Sequence, residues 1–112
     1  MNTKKRLLKQ CQSIVEELER LWETDFYDED EDGENYFGDV LGGCYYVGLD
    51  GDFQGVRIIA AYGGPNIYID TKHGTVEGYW GMDHIEIPLP PDISNEIDRY
   101  WREWFELSIL HR

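Results

Sequence analysis

"CYYVGLDGDFQGVRIIAAYGGPNIYIDTKHGTVEGYW", residues 44–80, decides the fold. Asp50-Gly51 separates two runs rich in aromatic and β-branched residues. That dipeptide suits a tight hairpin turn, because both positions tolerate a positive φ. Ile67 and Ile69 alternate with Tyr68 and Asp70, the period of two that marks a strand with one buried face. Gly74 closes a second short turn with a bulge, and Gly63-Gly64-Pro65 joins the two hairpins. The spacing predicts a four-stranded antiparallel meander at 44–49, 54–62, 66–71 and 75–81. "HIEIPL", residues 84–89, offers a short fifth strand.

A helix is expected on each side of this sheet. Upstream, Leu7, Leu8, Cys11, Ile14, Val15, Leu18, Leu21 and Trp22 recur at helical spacing, which predicts an amphipathic helix over 3–24 with Thr3 as its N-cap. Its charges oppose the helix dipole: Lys4, Lys5 and Arg6 begin it, while Glu16, Glu17, Glu19 and Glu23 lie toward its end. Downstream, "PLPPD" stops the sheet, and Pro91 or Asp92 opens a second helix. Ile93, Ile97, Tyr100, Trp101, Trp104, Phe105 and Leu107 give it a broad apolar face suited to packing across a sheet. The expected class is α+β: N-terminal helix, acidic loop, antiparallel meander of four to five strands, C-terminal helix on the sheet. At 112 residues the expectation is a single domain over 1–112.

Hydrophobic residues make up 41% of the chain and aromatics 14%, enough for one packed core. The formal net charge is −13, from 23 acids and ten bases. Such a charge repels nucleic acid and anionic membranes and draws in basic partners. No run of 18 apolar residues is present, and "MNTKKRLLKQ" is followed by no uninterrupted apolar segment. The expectation is a cytoplasmic protein whose Cys11 and Cys44 stay reduced.

The charge is unevenly spread. Between Thr24 and Val40 stand Asp25, Asp28, Glu29, Asp30, Glu31, Asp32, Glu34 and Asp39, with no base among them. Phe26, Tyr27, Tyr36 and Phe37 flank the run. Three accounts compete. Asp28, Asp30, Asp32, Gly33 and Asp39 fall in the register of an EF-hand calcium loop over 28–39. Against calcium, Asn35 stands at the usual apolar position, Asp39 replaces the bidentate Glu, and strand-like sequence follows where a helix is required. The plainest account is a solvated charge run. The third is an interaction surface, in which carboxylates imitate a row of phosphates and enter a basic groove, with the aromatics as anchors. On this account the contact residues are Tyr27, Asp28, Glu29, Asp30, Glu31, Asp32, Glu34, Tyr36 and Phe37. Glu16, Glu19, Glu23, Asp50, Asp52, Glu96, Asp98, Glu103 and Glu106 could extend the surface.

The opening "LLKQCQSIVEELERLWETD", the acidic "DEDEDGENYFGD" and the core "GGPNIYIDTKHGTVEGYWG" resemble in layout the small acidic orphan proteins of bacteriophages and prophages. Anti-CRISPR proteins and anti-restriction DNA mimics are similar in size and charge. The resemblance implies a viral, non-enzymatic inhibitor in the host cytoplasm. It would occupy the nucleic-acid groove of a defence nuclease without touching nucleic acid or membrane itself. It carries over no catalytic residue, cofactor or metal.

Signals for chemistry are weak. His73, His84 and His111 show no metal-ligand spacing, and no nucleophile elbow, P-loop or dinucleotide fingerprint is present. Asp70 and Glu77 are expected to face each other across the second hairpin, with His73 at its turn, as a carboxylate pair of glycosidase type. A solvated polar sheet face has the same pattern. Tyr45, Tyr46, Tyr62, Tyr68 and Tyr79 are candidates for an aromatic sheet face, but with only Arg57 and Lys72 nearby the charge opposes RNA stacking.

Overall fold

The computed structural model describes residues 3–24 and 42–110, with side chains placed at 3–21 and 42–108. Helix α1 spans Thr3–Thr24. Strands β1 (Gly43–Val47), β2 (Phe53–Ala61), β3 (Asn66–Asp70), β4 (Thr75–Trp80) and β5 (Asp83–Pro88) follow, and helix α2 covers Pro91–Leu110. The five strands form one antiparallel sheet in the order β1-β2-β3-β4-β5, so each strand pairs with its neighbour in sequence. The arrangement is α+β as expected, and "HIEIPL" does supply the fifth strand.

One sheet face is apolar and carries both helices. Val56 and Ile58 of β2, Ile67 and Ile69 of β3 and Val76 of β4 are buried there with Leu7, Cys11, Leu18, Leu89, Ile93 and Ile97. Helix α1 lies over β4 and β5, and α2 lies over β2. Gly78 sets how close α1 comes: a Cβ there would stand 2.7 Å from both Cys11 Sγ and Leu7 Cδ1. Among the reversed charges of α1, Arg6 gains a favourable contact, its guanidinium 5.1 Å from the Trp80 ring centre. Cys11 is buried and Cys44 exposed, and both are free thiols.

Some expectations need correction. The β1–β2 connection is wider than a two-residue turn: Gly51 N donates to Gly48 O at 2.9 Å and Gly48 N to Asp52 O at 2.8 Å, with only Gly51 at positive φ between them. A register shift between Tyr46 and Val47 absorbs the extra length. Trp104 is not in the core but 52% exposed, and Leu107 is 46% exposed. The buried stripe of α2 advances by four residues through Ile93, Ile97 and Trp101 to Phe105, which turns Trp104 outward.

A polar network on the open sheet face

Opposite the helices, the antiparallel register lays side chains out in cross-strand rows. Cys44, Arg57, Asp70, Thr75 and Pro88 form one row. Ile59, Tyr68, Glu77 and Glu86 form the next, followed by Asn66, Tyr79 and His84. Asp70 is therefore directly opposite Thr75, and Glu77 opposite Tyr68. The two carboxylates are diagonal neighbours, not the direct pair expected, because the β3–β4 turn is centred one residue earlier, between Lys72 and His73, which slips the register by two.

Arg57 joins them. Its Nη2 lies 3.0 Å from Glu77 Oε2 and its Nη1 3.7 Å from Asp70 Oδ2. The guanidinium rests 4.3 Å from the centre of the Tyr68 ring. Asp70 is wholly buried, although neither α1 nor α2 covers this face. Tyr46 Oη donates to its Oδ2 at 2.6 Å, and the His73 amide donates to Oδ1 at 3.0 Å. His73 Nδ1 completes the set at 3.0 Å from Oδ2. Glu77 accepts from Tyr79 Oη at 3.1 Å and from Thr75 Oγ1 at 3.3 Å.

The charges follow from these contacts. Burial by itself pushes the Asp70 carboxyl up, but the Tyr46 hydroxyl and the His73 amide and ring together hold it below the ordinary carboxylate range. Burial disfavours the Arg57 cation, yet the Tyr46 and Tyr79 hydroxyls and Glu77 outweigh it and raise its pKa further. Tyr46 and Tyr79 are pushed up, first by burial. The network is thus two carboxylates contacted by one permanent cation, with the Asp70 carboxyl held in its charged form.

Aromatic rings surround the clamp. Tyr68 meets Tyr79 edge-on with ring centres 5.9 Å apart, and Tyr79 stacks on His84 at 4.5 Å and 10°. Tyr46 meets His73 edge-on at 5.6 Å, and Lys72 Nζ lies 5.1 Å from the Tyr46 ring. Of the five tyrosines expected on an aromatic face, Tyr46, Tyr68 and Tyr79 are here. Tyr45 points to the helix side, against Phe53, Trp101 and Phe105. Tyr62 lies beyond the end of β2, 74% exposed.

Tyr27, Asp28, Glu29, Asp30, Glu31, Asp32, Glu34, Tyr36 and Phe37 lie outside the described residues. Both flanks of that segment are described. Thr24 ends α1, and Gly42, whose carbonyl accepts from Ile59 N at 2.8 Å, leads into β1. The chain thus resumes as a strand, not as the exiting helix of an EF-hand. No group of three or more His, Cys, Asp or Glu suited to a metal ion occurs among the described residues.

The additional acids fall on separate surfaces. Glu16 and Glu19 are exposed on α1, and Glu103 and Glu106 on α2. Asp52 and Glu106 line one shallow groove with Phe53, Arg102 and Phe105. Glu96 is tied to Arg99 at 2.7 Å. Burial pushes the Asp98 carboxyl up, against the opposing pull of Thr71 and Arg102. The clamp was missed as a unit because its members are scattered over 32 positions from Tyr46 to Glu77 and meet only through sheet register. The signal available was the cross-strand row of Arg57 with Asp70.

No family model matches the chain, and no curated protein or solved structure is detectably similar to it. Among the described residues, no helix is long and apolar enough to cross a membrane.

Proposed function

We propose that the chain is a non-enzymatic acidic binding protein that enters a positively charged nucleic-acid groove on another protein. The specific form we favour is a phage-borne inhibitor of a bacterial defence nuclease, of anti-CRISPR type, acting in the host cytoplasm. The observation that carries this reading is the distribution of charge. Eight of the 23 acids and none of the ten bases lie within 25–41, leaving 15 acids and ten bases, or −5, for the rest. The excess is concentrated between two defined anchors, the end of α1 and the start of β1. Among the described residues, Arg57 meets Asp70 and Glu77, and Arg99 meets Glu96. Charge collected in one segment steers a basic partner and makes association sensitive to salt.

The test replaces Asp28, Asp30, Asp32 and Glu34 with Lys together. The expected result is loss of partner capture from a host lysate at low salt, with an unchanged thermal unfolding transition. Capture by the parent chain should weaken steeply as salt is raised, and excess duplex DNA should displace it. Capture that survives the four changes, or resists both salt and DNA, overturns the reading.

A further inference from the structure

The open face holds a pattern that occurs twice. In its first instance, Tyr68 supplies a ring, Glu77 a carboxylate, and Arg57 a guanidinium that contacts both. The second instance lies one strand over. The Tyr79–His84 stack supplies the rings, and Glu86 supplies the carboxylate, directly opposite Glu77 across the β4–β5 ladder. Here no arginine or lysine contacts the carboxylate among the described residues. Among the described residues its ion-pair contact is with His84 Nε2, at 3.7 Å, and Glu86 stays 52% exposed. Two glutamates directly opposite each other on antiparallel strands repel. Arg57 relieves Glu77 only, from the far side.

We propose that Glu86, with the His84–Tyr79 stack, is a contact site for an arginine side chain of a protein partner. The chemistry is that of the internal clamp: a guanidinium lies along an aromatic surface and donates to a carboxylate. Both parts of the site are on the sheet face away from the helices, and β5 is the outer strand of the sheet as described, so an extended basic segment has access. The net charge of −13 favours the approach of such a segment. As a statement about biology the inference rests on the proposed role as a binder of basic proteins. As a statement about chemistry it stands on the face itself.

The experiment titrates the full chain with acetyl-Gly-Arg-Gly-amide and follows amide and His ring resonances. The control ligand replaces arginine with citrulline, which keeps the shape and loses the charge. The expected result is saturable shifts centred on His84, Glu86 and Tyr79, with a dissociation constant of ~10 mM, as one exposed contact provides. The citrulline peptide should give none. Glu86→Gln should weaken arginine binding about fivefold and His84→Ala by a smaller factor. Both residues are exposed, so the fold is retained. Shifts at Glu86 no larger than those at Glu103 and Glu106, or equal shifts with citrulline, overturn the proposal. So does a concentration-dependent dimer of the chain alone that Glu86→Gln abolishes, which assigns the face to a second copy. Peptide binding here together with failed partner capture would refute the functional reading alone. Intact capture with no peptide response would refute only this site.

Discussion

The two faces of the same sheet are built on opposite principles. On the helix side, Val56, Ile58, Ile67, Ile69 and Val76 are excluded from water by α1 and α2, and the stabilising force is apolar area removed from water. On the open side, Asp70 is just as inaccessible as Ile69, yet neither α1 nor α2 covers it. Tyr46, His73 and Arg57 contact it there, three side chains that satisfy its charge. The first face depends on shape and the second on complete pairing. Losing a methyl group damages the former in proportion to the cavity left. Losing one partner damages the latter by stranding a charge.

The largest expected effects put the two principles side by side. Ile69→Ala should cost about 4 kcal/mol in urea unfolding at pH 7, from lost transfer energy and a residual cavity. Arg57→Met, which keeps the apolar stem over Tyr68, should cost about 3 kcal/mol, because two shielded carboxylates lose their cation. Repeating both measurements at progressively lower pH sharpens the contrast. The Arg57→Met penalty should shrink only below the ordinary carboxylate range, where Asp70, held low by Tyr46 and His73, takes up its proton and no longer needs a cation. The Ile69→Ala penalty should not change. Equal behaviour of the two variants with pH would mean that the open face is held by packing after all.

The same contrast explains what the sequence disclosed. Alternation at Ile67–Tyr68–Ile69–Asp70 revealed the buried face of β3 because apolar burial leaves a period of two, and both helices were legible through their stripes. The open face leaves no such trace. Asp70 has the sequence signature of a solvated residue, and what buries it comes from β1, β2 and the turn at His73. A register slip of two residues at that turn moves the partner of Asp70 from Glu77 to Thr75 without changing faces, so the carboxylates were foreseen on one face but in the wrong rows. Trp104 was misplaced for a related reason. A hydrophobic stripe wider than the contact it makes does not say which edge faces out.

A smaller effect tests the helix face at its tightest point. Gly78→Ala places a methyl group against Leu7 and Cys11 of α1 and should cost about 2 kcal/mol, since both belong to the buried stripe of that helix and to a close-packed core. The cost should fall when Leu7→Val is added to make room. A Gly78→Ala chain as stable as the parent, by urea unfolding, would mean that α1 is free to lift from β4 without penalty.

The smallest expected effect tests the open face through a single hydrogen bond. Tyr46→Phe keeps the ring against His73 and removes the hydroxyl that donates to Asp70 at 2.6 Å. A hydrogen bond to a charged acceptor contributes about 1.5 kcal/mol. The sign of its pH dependence follows from Asp70, whose carboxyl is held below its unfolded value near 3.9. In the parent, that stabilisation is fully present above the unfolded value and is lost as pH falls through the lower folded value. With the hydroxyl gone, the Asp70 carboxyl sits higher. Parent and variant should differ most at neutral pH and converge below about pH 4, in the window between the unfolded value and the folded one. A difference that is constant from pH 7 to pH 3 would place the contribution of Tyr46 in its ring alone, and the open face would then owe its order to aromatic packing and not to the satisfied charge of Asp70.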